Sequence, residues 1–195
     1  MNAPTKVLRH QTGFSMIEVL ITLVILLLGL LGLVGMMLLS QRAEMESYQR
    51  TQALILLQDM VGRINANRTA ASCYAITTDT VNGVPYLGVD STVTPACSAG
   101  TVEAYTLANS DLTAWNNLLI GTSEKIGTTS LGAMIGARGC ISFNTTTSTY
   151  LVSVAWQGKG QTTAPVSGLG CGKGLYGNEA QRRVVSLPLQ IANLN

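Results

Sequence analysis

The chain has 195 residues, of which 47% are hydrophobic and 11% charged, with a formal net charge of +2 at pH 7. That length holds one modest domain beside an apolar excess, and so small a net charge excludes a strong electrostatic footprint for nucleic acid. A single histidine, His10, and four cysteines without a C-x-x-C pair argue against histidine-based triads and a paired-cysteine zinc site.

Residues 1–13 are hydrophilic and carry Lys6 and Arg9. The run from Met16 to Leu39 follows, clearly polar only at Glu18 and Thr22. As a helix it extends about 36 Å, enough to cross a bilayer. A secretory signal peptide has a shorter apolar core and a small-residue cleavage site after it. Here the chain continues GMMLLSQRAEMESYQR, so the run is expected to be retained. Two of its features cost energy. Glu18 is a carboxylate in a segment that hydrocarbon solvates poorly. Gly29, Gly32 and Gly35 each weaken a helix by roughly 0.8–1 kcal/mol relative to alanine; they read either as close helix packing or as a stretch built to loosen. Lys6 and Arg9 before the run are matched by Arg42 and Arg50 after it, so basic residues do not fix its orientation.

Between Arg42 and Arg68 there is no proline and only Gly62, while Ala53, Leu56, Leu57, Met60, Val61 and Ile64 recur at offsets of three and four. This spacing predicts an amphipathic helix. Joined to the apolar run it forms one rod from Phe14 to Ala66, about 80 Å long, whose stripe should cover one face of a sheet. The expected organisation is a leader at 1–13, an apolar transmembrane helix at 14–39, its amphipathic continuation at 40–67 and a globular head at 68–195.

Thr69 to Gly100 is rich in turn signals such as VNGVP and reads as a loop-rich connection. Ser110 and Asp111 are candidate caps for a short helix carrying Leu112, Trp115, Leu118 and Leu119. Gly121 to Gly139 reads as another loop. Three strands close the chain, in CISFN, YLVSVAWQG and RRVVSLPLQIANL. Ile141 and Phe143 share a face, as do Val152, Val154 and Trp156, and Val185, Leu187, Leu189 and Ile191. Such alternation predicts a sheet with one buried face, and Pro188 places the last strand at an edge. The fold class is therefore α+β, a long helical spine packed on a small antiparallel sheet.

The four cysteines, Cys73, Cys97, Cys140 and Cys171, all follow the apolar run. In an oxidising compartment an even number at these spacings implies two disulfides. Three connectivities are open; Cys73 with Cys97 and Cys140 with Cys171 is the simplest local closure. GLGCGKG fails as a phosphate loop, because Gly174 rather than Ser or Thr follows Lys173, and reads as a turn beside Cys171. The triplets at Asn67 and Asn144 are expected by chance in a threonine-rich chain, and Arg182 with Arg183 reads as a solvated strand start.

The stretch TGFSMIEVLITL, behind a short basic leader, resembles the signal of type IV prepilins and of the pseudopilins of type II secretion. The resemblance implies cleavage after Gly13 by prepilin peptidase on the cytoplasmic side and N-methylation of Phe14. It also implies an assembly role for Glu18, four residues further on. Cleavage would remove His10, Lys6 and Arg9 and leave ten basic and ten acidic side chains. YLVSVAWQGKG, CGKGLYGNEAQRRVVSL and CSAGTVEAYTLANSDLTAWNNLL look like the PilV-type minor pilins, also labelled type IV pilus modification proteins. That narrower resemblance implies a scarce, non-enzymatic subunit without cofactor. It would wait in the inner membrane with a periplasmic head and then enter the pilus or its tip. Its partners would be other minor pilins and the pilus assembly machinery, with no nucleic acid. A minor pseudopilin, and a membrane-anchored extracytoplasmic binding domain whose N-terminus only mimics a prepilin, are the alternatives.

Overall fold

A computed structural model describes residues 13–122, 125–126, 129–130 and 134–191; the leader residues 1–12, with Lys6, Arg9 and His10, lie outside them. The chain divides between Ala43 and Glu44 into two units. Helix α1, Met16–Ala66, begins in the first and ends in the second. It starts two residues after the expected Phe14, where the carbonyl of Ser15 accepts from the amides of Glu18 (3.0 Å) and Val19 (3.3 Å). No proline interrupts it, and Thr22 returns its hydroxyl proton to the carbonyl of Val19 at 2.9 Å, so this polar group needs no water. In the first unit every described residue is exposed.

The second unit contains the core. On α1 the buried positions are Gln49, Ala53, Leu57, Met60 and Ile64, with Leu56 and Val61 packed at their margins. Spacings of three and four place them on one stripe. After Ala66 the chain tightens into a 3-10 helix, Arg68–Tyr74, which buries Ala70, Ala71, Cys73 and Tyr74.

Helix α2, Val102–Ile120, is longer than the sequence suggests. Its N-cap is Thr101, whose side chain accepts from the amide of Ala104 at 3.3 Å, and Gly121 ends it in the left-handed conformation. Ser110 and Asp111 therefore lie inside the helix rather than at its start. Asp111 is unavailable as a cap because its carboxylate is engaged across the core.

The main sheet holds β1 (Leu87–Gly88), β4 (Arg138–Asn144), β5 (Thr149–Gln157) and β6 (Arg182–Gln190), antiparallel throughout in the order β1-β4-β5-β6. The span expected to be a loop before β4 holds a two-stranded ladder, β2 (Lys125–Ile126) with β3 (Thr129–Ser130). Strand β4 starts at Arg138, so Gly139 belongs to the sheet, where an added Cβ would collide with the Trp115 ring and with Leu119. Pro188 sits on edge strand β6 opposite Leu151.

Ile141, Val152, Val154 and Trp156 join α1, α2 and the 3-10 helix in one core cluster. Val185, Leu189 and Ile191 pack at its margin, while Phe143 and Leu187 are exposed. The other face of the sheet is not left to solvent as the alternation implied. Cys140, Ala155, Cys171 and Tyr176 form a second, small core there, with Tyr86 and Val184 against it. Small side chains at Ser153 and Ala155 let the loop after β5 close over the strand, which is why alternation under-reports the burial of β5.

Candidate assembly site

At the start of α1, Gly13, Phe14 and Ser15 precede the helix, and Phe14 is 84% exposed. Glu18 falls in the first turn, where unpaired backbone N–H groups favour negative charge. It is exposed and has no ion-pair partner among the described residues. Between Val19 and Leu39 the least exposed large apolar side chain, Val24, is still 46% open. This helix is long and apolar enough to cross a membrane, and an uninterrupted apolar surface of that length demands lipid or other helices around it.

The second unit is held by polar contacts of the opposite kind, made between groups of the same chain. Arg63 of α1 donates from Nε to Asp59 Oδ2 at 2.9 Å and from Nη1 to Asp111 Oδ1 at 2.8 Å. The Tyr74 hydroxyl donates to Asp111 Oδ2 at 2.6 Å, and Asn67 Nδ2 donates to the Ala104 carbonyl at 2.8 Å and to Tyr74 at 3.2 Å. Burial, reinforced by the Asp111 carboxylate, holds the Tyr74 phenol well above its ordinary range. Trp115 Nε1 donates to the Leu56 carbonyl at 2.9 Å. Sequence reading passed over Arg63 and Tyr74, and took Asp111 for a cap and Asn67 for a chance triplet. The available signal was Asp111 itself, a carboxylate on the same stripe as Ala104, Ala108, Leu112, Trp115 and Leu119.

Cys73 is bonded to Cys97 and Cys140 to Cys171, with Cα separations of 5.4 and 5.8 Å. Asn109 of α2 clamps Cys97, accepting its amide and donating to its carbonyl, both at 2.9 Å. Arg182 is not a solvated strand start. It is 3% exposed, pairs with Glu179 at 2.7 Å and donates to the carbonyls of Leu169 (2.6 Å) and Cys171 (3.1 Å). Partial burial would raise the Glu179 carboxyl, but the Gly174 amide and Arg182 outweigh it and hold it below its usual range. Arg183 of β6 pairs with Glu46 of α1.

GLGCGKG is a turn, with Gly172 and Gly174 at positive φ and the Lys173 amide bonded to the Gly170 carbonyl at 2.9 Å. Asn67 is buried and bonded, unlike an accessible glycosylation acceptor, whereas Asn144 is exposed at the end of β4.

The family model for the prokaryotic N-terminal methylation motif matches residues 8–34, a span that includes Gly13, Phe14 and Glu18. Neither the curated proteins nor the solved structures give a match. The motif indicates a type IV pilin- or pseudopilin-like protein, and the pilin-like family that carries it is structural rather than catalytic. It implies processing by prepilin peptidase and handling by pilus machinery in general.

Proposed function

We propose that this chain is a non-enzymatic minor pilin of the PilV type that helps prime type IV pilus assembly, in an initiation or tip complex with other minor pilins. The observation that carries the reading is the start of α1, where an exposed Phe14 and an exposed Glu18, without an ion-pair partner among the described residues, open a helix whose apolar run as far as Leu39 is uncovered. Cleavage after Gly13 frees the amine of Phe14, and methylation leaves it cationic. When such helices leave the bilayer and pack together, that amine is a buried cation in a low-dielectric place. Glu18 of a neighbouring subunit neutralises it. The pair adds little net stability, because desolvation offsets the Coulomb gain. It fixes the stagger between helices, since a shifted register leaves a charge buried alone.

Intact-mass analysis of the mature protein tests the processing, with an N-terminus at methylated Phe14 expected. An intact Met1, or a cut after Leu39, overturns the reading. Glu18→Ala is expected to be processed normally and to fall roughly a hundredfold in the sheared filament fraction, the factor for leaving about 3 kcal/mol of buried charge unpaired. Normal recovery of that variant counts against the pairing. Deleting the gene is expected to lower filament number rather than length, and co-expression with other minor pilins should show which pairs co-purify. Neighbouring genes of a type II secretion system would make the chain a minor pseudopilin instead.

A further inference from the structure

Strand β6 ends the main sheet, so one of its edges has no neighbouring strand among the described residues. The register shows which groups that edge carries. The Gly158 amide donates to the Gln181 carbonyl at 2.8 Å, and in the same register Val154 faces Val185 and Ser153 faces Ser186. Hydrogen-bonded and non-bonded pairs alternate along an antiparallel ladder. Arg183, Val185, Leu187 and Leu189 therefore turn their main-chain groups toward β5, whereas Val184, Ser186, Pro188 and Gln190 turn theirs outward. Pro188, which has no N–H to give, falls in the outward set, where a strand tolerates it. The outward groups have no main-chain partner among the described residues. Leu187, Pro188 and Gln190 are exposed, and Val184 and Ser186 are half-buried. An open edge is a template for another strand, and proteins usually blunt it with charged side chains or proline. From Val184 to Gln190 no side chain is charged, and Pro188 is the only such guard. It leaves the amides of Val184 and Ser186 free to donate, and the carbonyls of Val184, Ser186 and Pro188 free to accept.

We propose that β6 receives an extended segment of another protein as a fifth strand of the main sheet, and that this segment carries a carboxylate on its helix-facing side. Main-chain hydrogen bonds hold the segment, and side chains select it. Beside the edge lies a cavity of about 340 Å³, bounded by Glu46 and Arg50 of α1, Thr162, and Arg183, Val184 and Val185 of β6. Arg183 is committed there, to Glu46 and to the carbonyls of Ala180 and Gly160, the latter two at 3.0 Å. Arg50 is exposed and has no carboxylate partner among the described residues. A residue of the added strand opposite Val185 shares its face of the sheet, so an acidic side chain at that place meets Arg50. A second copy of this chain fits less well. Two-fold pairing centred on Ser186 sets Leu187 opposite Val185 and Leu189 opposite Arg183, and brings no carboxylate to Arg50. It also sets Pro188 opposite Val184 twice, with a hydrogen bond missing each time. The edge stands on residues of the second unit and does not depend on the filament reading.

The test is amide hydrogen exchange, read residue by residue by NMR on the full chain in a non-ionic detergent. The probe is a synthetic peptide of alternating threonine and valine with glutamate or glutamine at its centre, N-methylated along one edge so that it does not stack on itself. Without peptide, the amides of Val184 and Ser186 are expected to exchange freely, while those of Val185, Leu187 and Leu189 are protected by β5. The glutamate peptide is expected to protect Val184 and Ser186 saturably. It should bind up to about fivefold more tightly than the glutamine peptide, the most an exposed ion pair contributes, and Arg50→Gln should remove that preference. Ser186→Pro deletes an outward amide without touching the β5 ladder and should weaken the peptide about fivefold, the factor for one hydrogen bond. No protection by the peptide, equal protection by a peptide methylated along both edges, or unchanged affinity in Ser186→Pro overturns the added strand. Equal affinity of the glutamate and glutamine peptides overturns the carboxylate. Protection of Val184 and Ser186 that grows with protein concentration alone assigns the edge to a second copy and overturns the foreign segment. The intact mass of the N-terminus reports on the filament reading independently of any of these results.

Discussion

The two ends of α1 handle charge in opposite ways. At its start, Glu18 stands exposed and unpartnered on an apolar surface; near its end, Arg63 divides its donors between Asp59 and Asp111, and Asp111 also receives the Tyr74 hydroxyl. The first arrangement is incomplete within one chain, and the second is complete. Stability of the isolated subunit therefore belongs to the second unit, while the first, on the proposed function, awaits a partner outside the molecule. Substitutions should separate the two, each unit failing in its own assay.

The sharpest separation is expected from Asp111→Ala. It leaves the Arg63 guanidinium and the Tyr74 hydroxyl without their shared acceptor, and two hydrogen bonds to a charged group, at about 1.5–3 kcal/mol each, amount to about 3–6 kcal/mol. Chemical denaturation should show that loss, while membrane insertion and N-terminal processing stay normal. A loss under 1 kcal/mol would mean that the network adds little to the core around it. Loss of a single disulfide comes next, at about 2–4 kcal/mol. Both bridges lie in the second unit, Cys73 to Cys97 and Cys140 to Cys171. Melting with and without reductant measures this, and coincident curves would refute it.

A smaller effect is expected from pH. Burial raises the phenols of Tyr74, Tyr150 and Tyr176. In the unfolded chain a tyrosine loses its proton near pH 10, while the folded protein keeps it. Above that pH the unfolded state binds fewer protons, so stability is fully present below about pH 10 and falls as pH rises further. Denaturant midpoints between pH 8 and 11 should decline only over the upper part of that range. Tyr74→Phe should reduce the decline, and an unchanged slope would assign it to other groups. The smallest effect belongs to Leu30→Ala in the first unit. Its side chain is exposed, so the isolated subunit should change by no more than about 0.5 kcal/mol. A large loss of stability would show that the apolar run is covered within the single chain.

The contrast also explains what the sequence made legible. Patterns that repeat along the chain were readable: the apolar run, the stripe at Ala53, Leu57, Met60 and Ile64, the alternation at Val152, Val154 and Trp156, and the edge position of Pro188. What depends on partners distant in the chain was not. Asp111 looked like a cap because local sequence does not reveal that Arg63 and Tyr74 converge on it. Arg182 looked solvated because the carbonyls that hold it, Leu169 and Cys171, come from a loop with no periodicity. The second face of β5 went unread for the same reason, since the side chains that cover it come from the loop around Cys171 and Tyr176. The N-terminal residues were legible for the opposite reason, being contiguous and carrying their pattern in a dozen positions.

The ion pair between Glu46 and Arg183 has a mechanical meaning. Within the second unit α1 is gripped by charge at two places, at Glu46 by β6 and at Arg63 by α2, with the apolar stripe between them. Neither disulfide includes a residue of α1. A pull along the helix axis loads both grips and the stripe together rather than one after another. The joint resists as a shear lap instead of peeling from one end, and its strength owes nothing to a covalent cross-link that a reductant could cut.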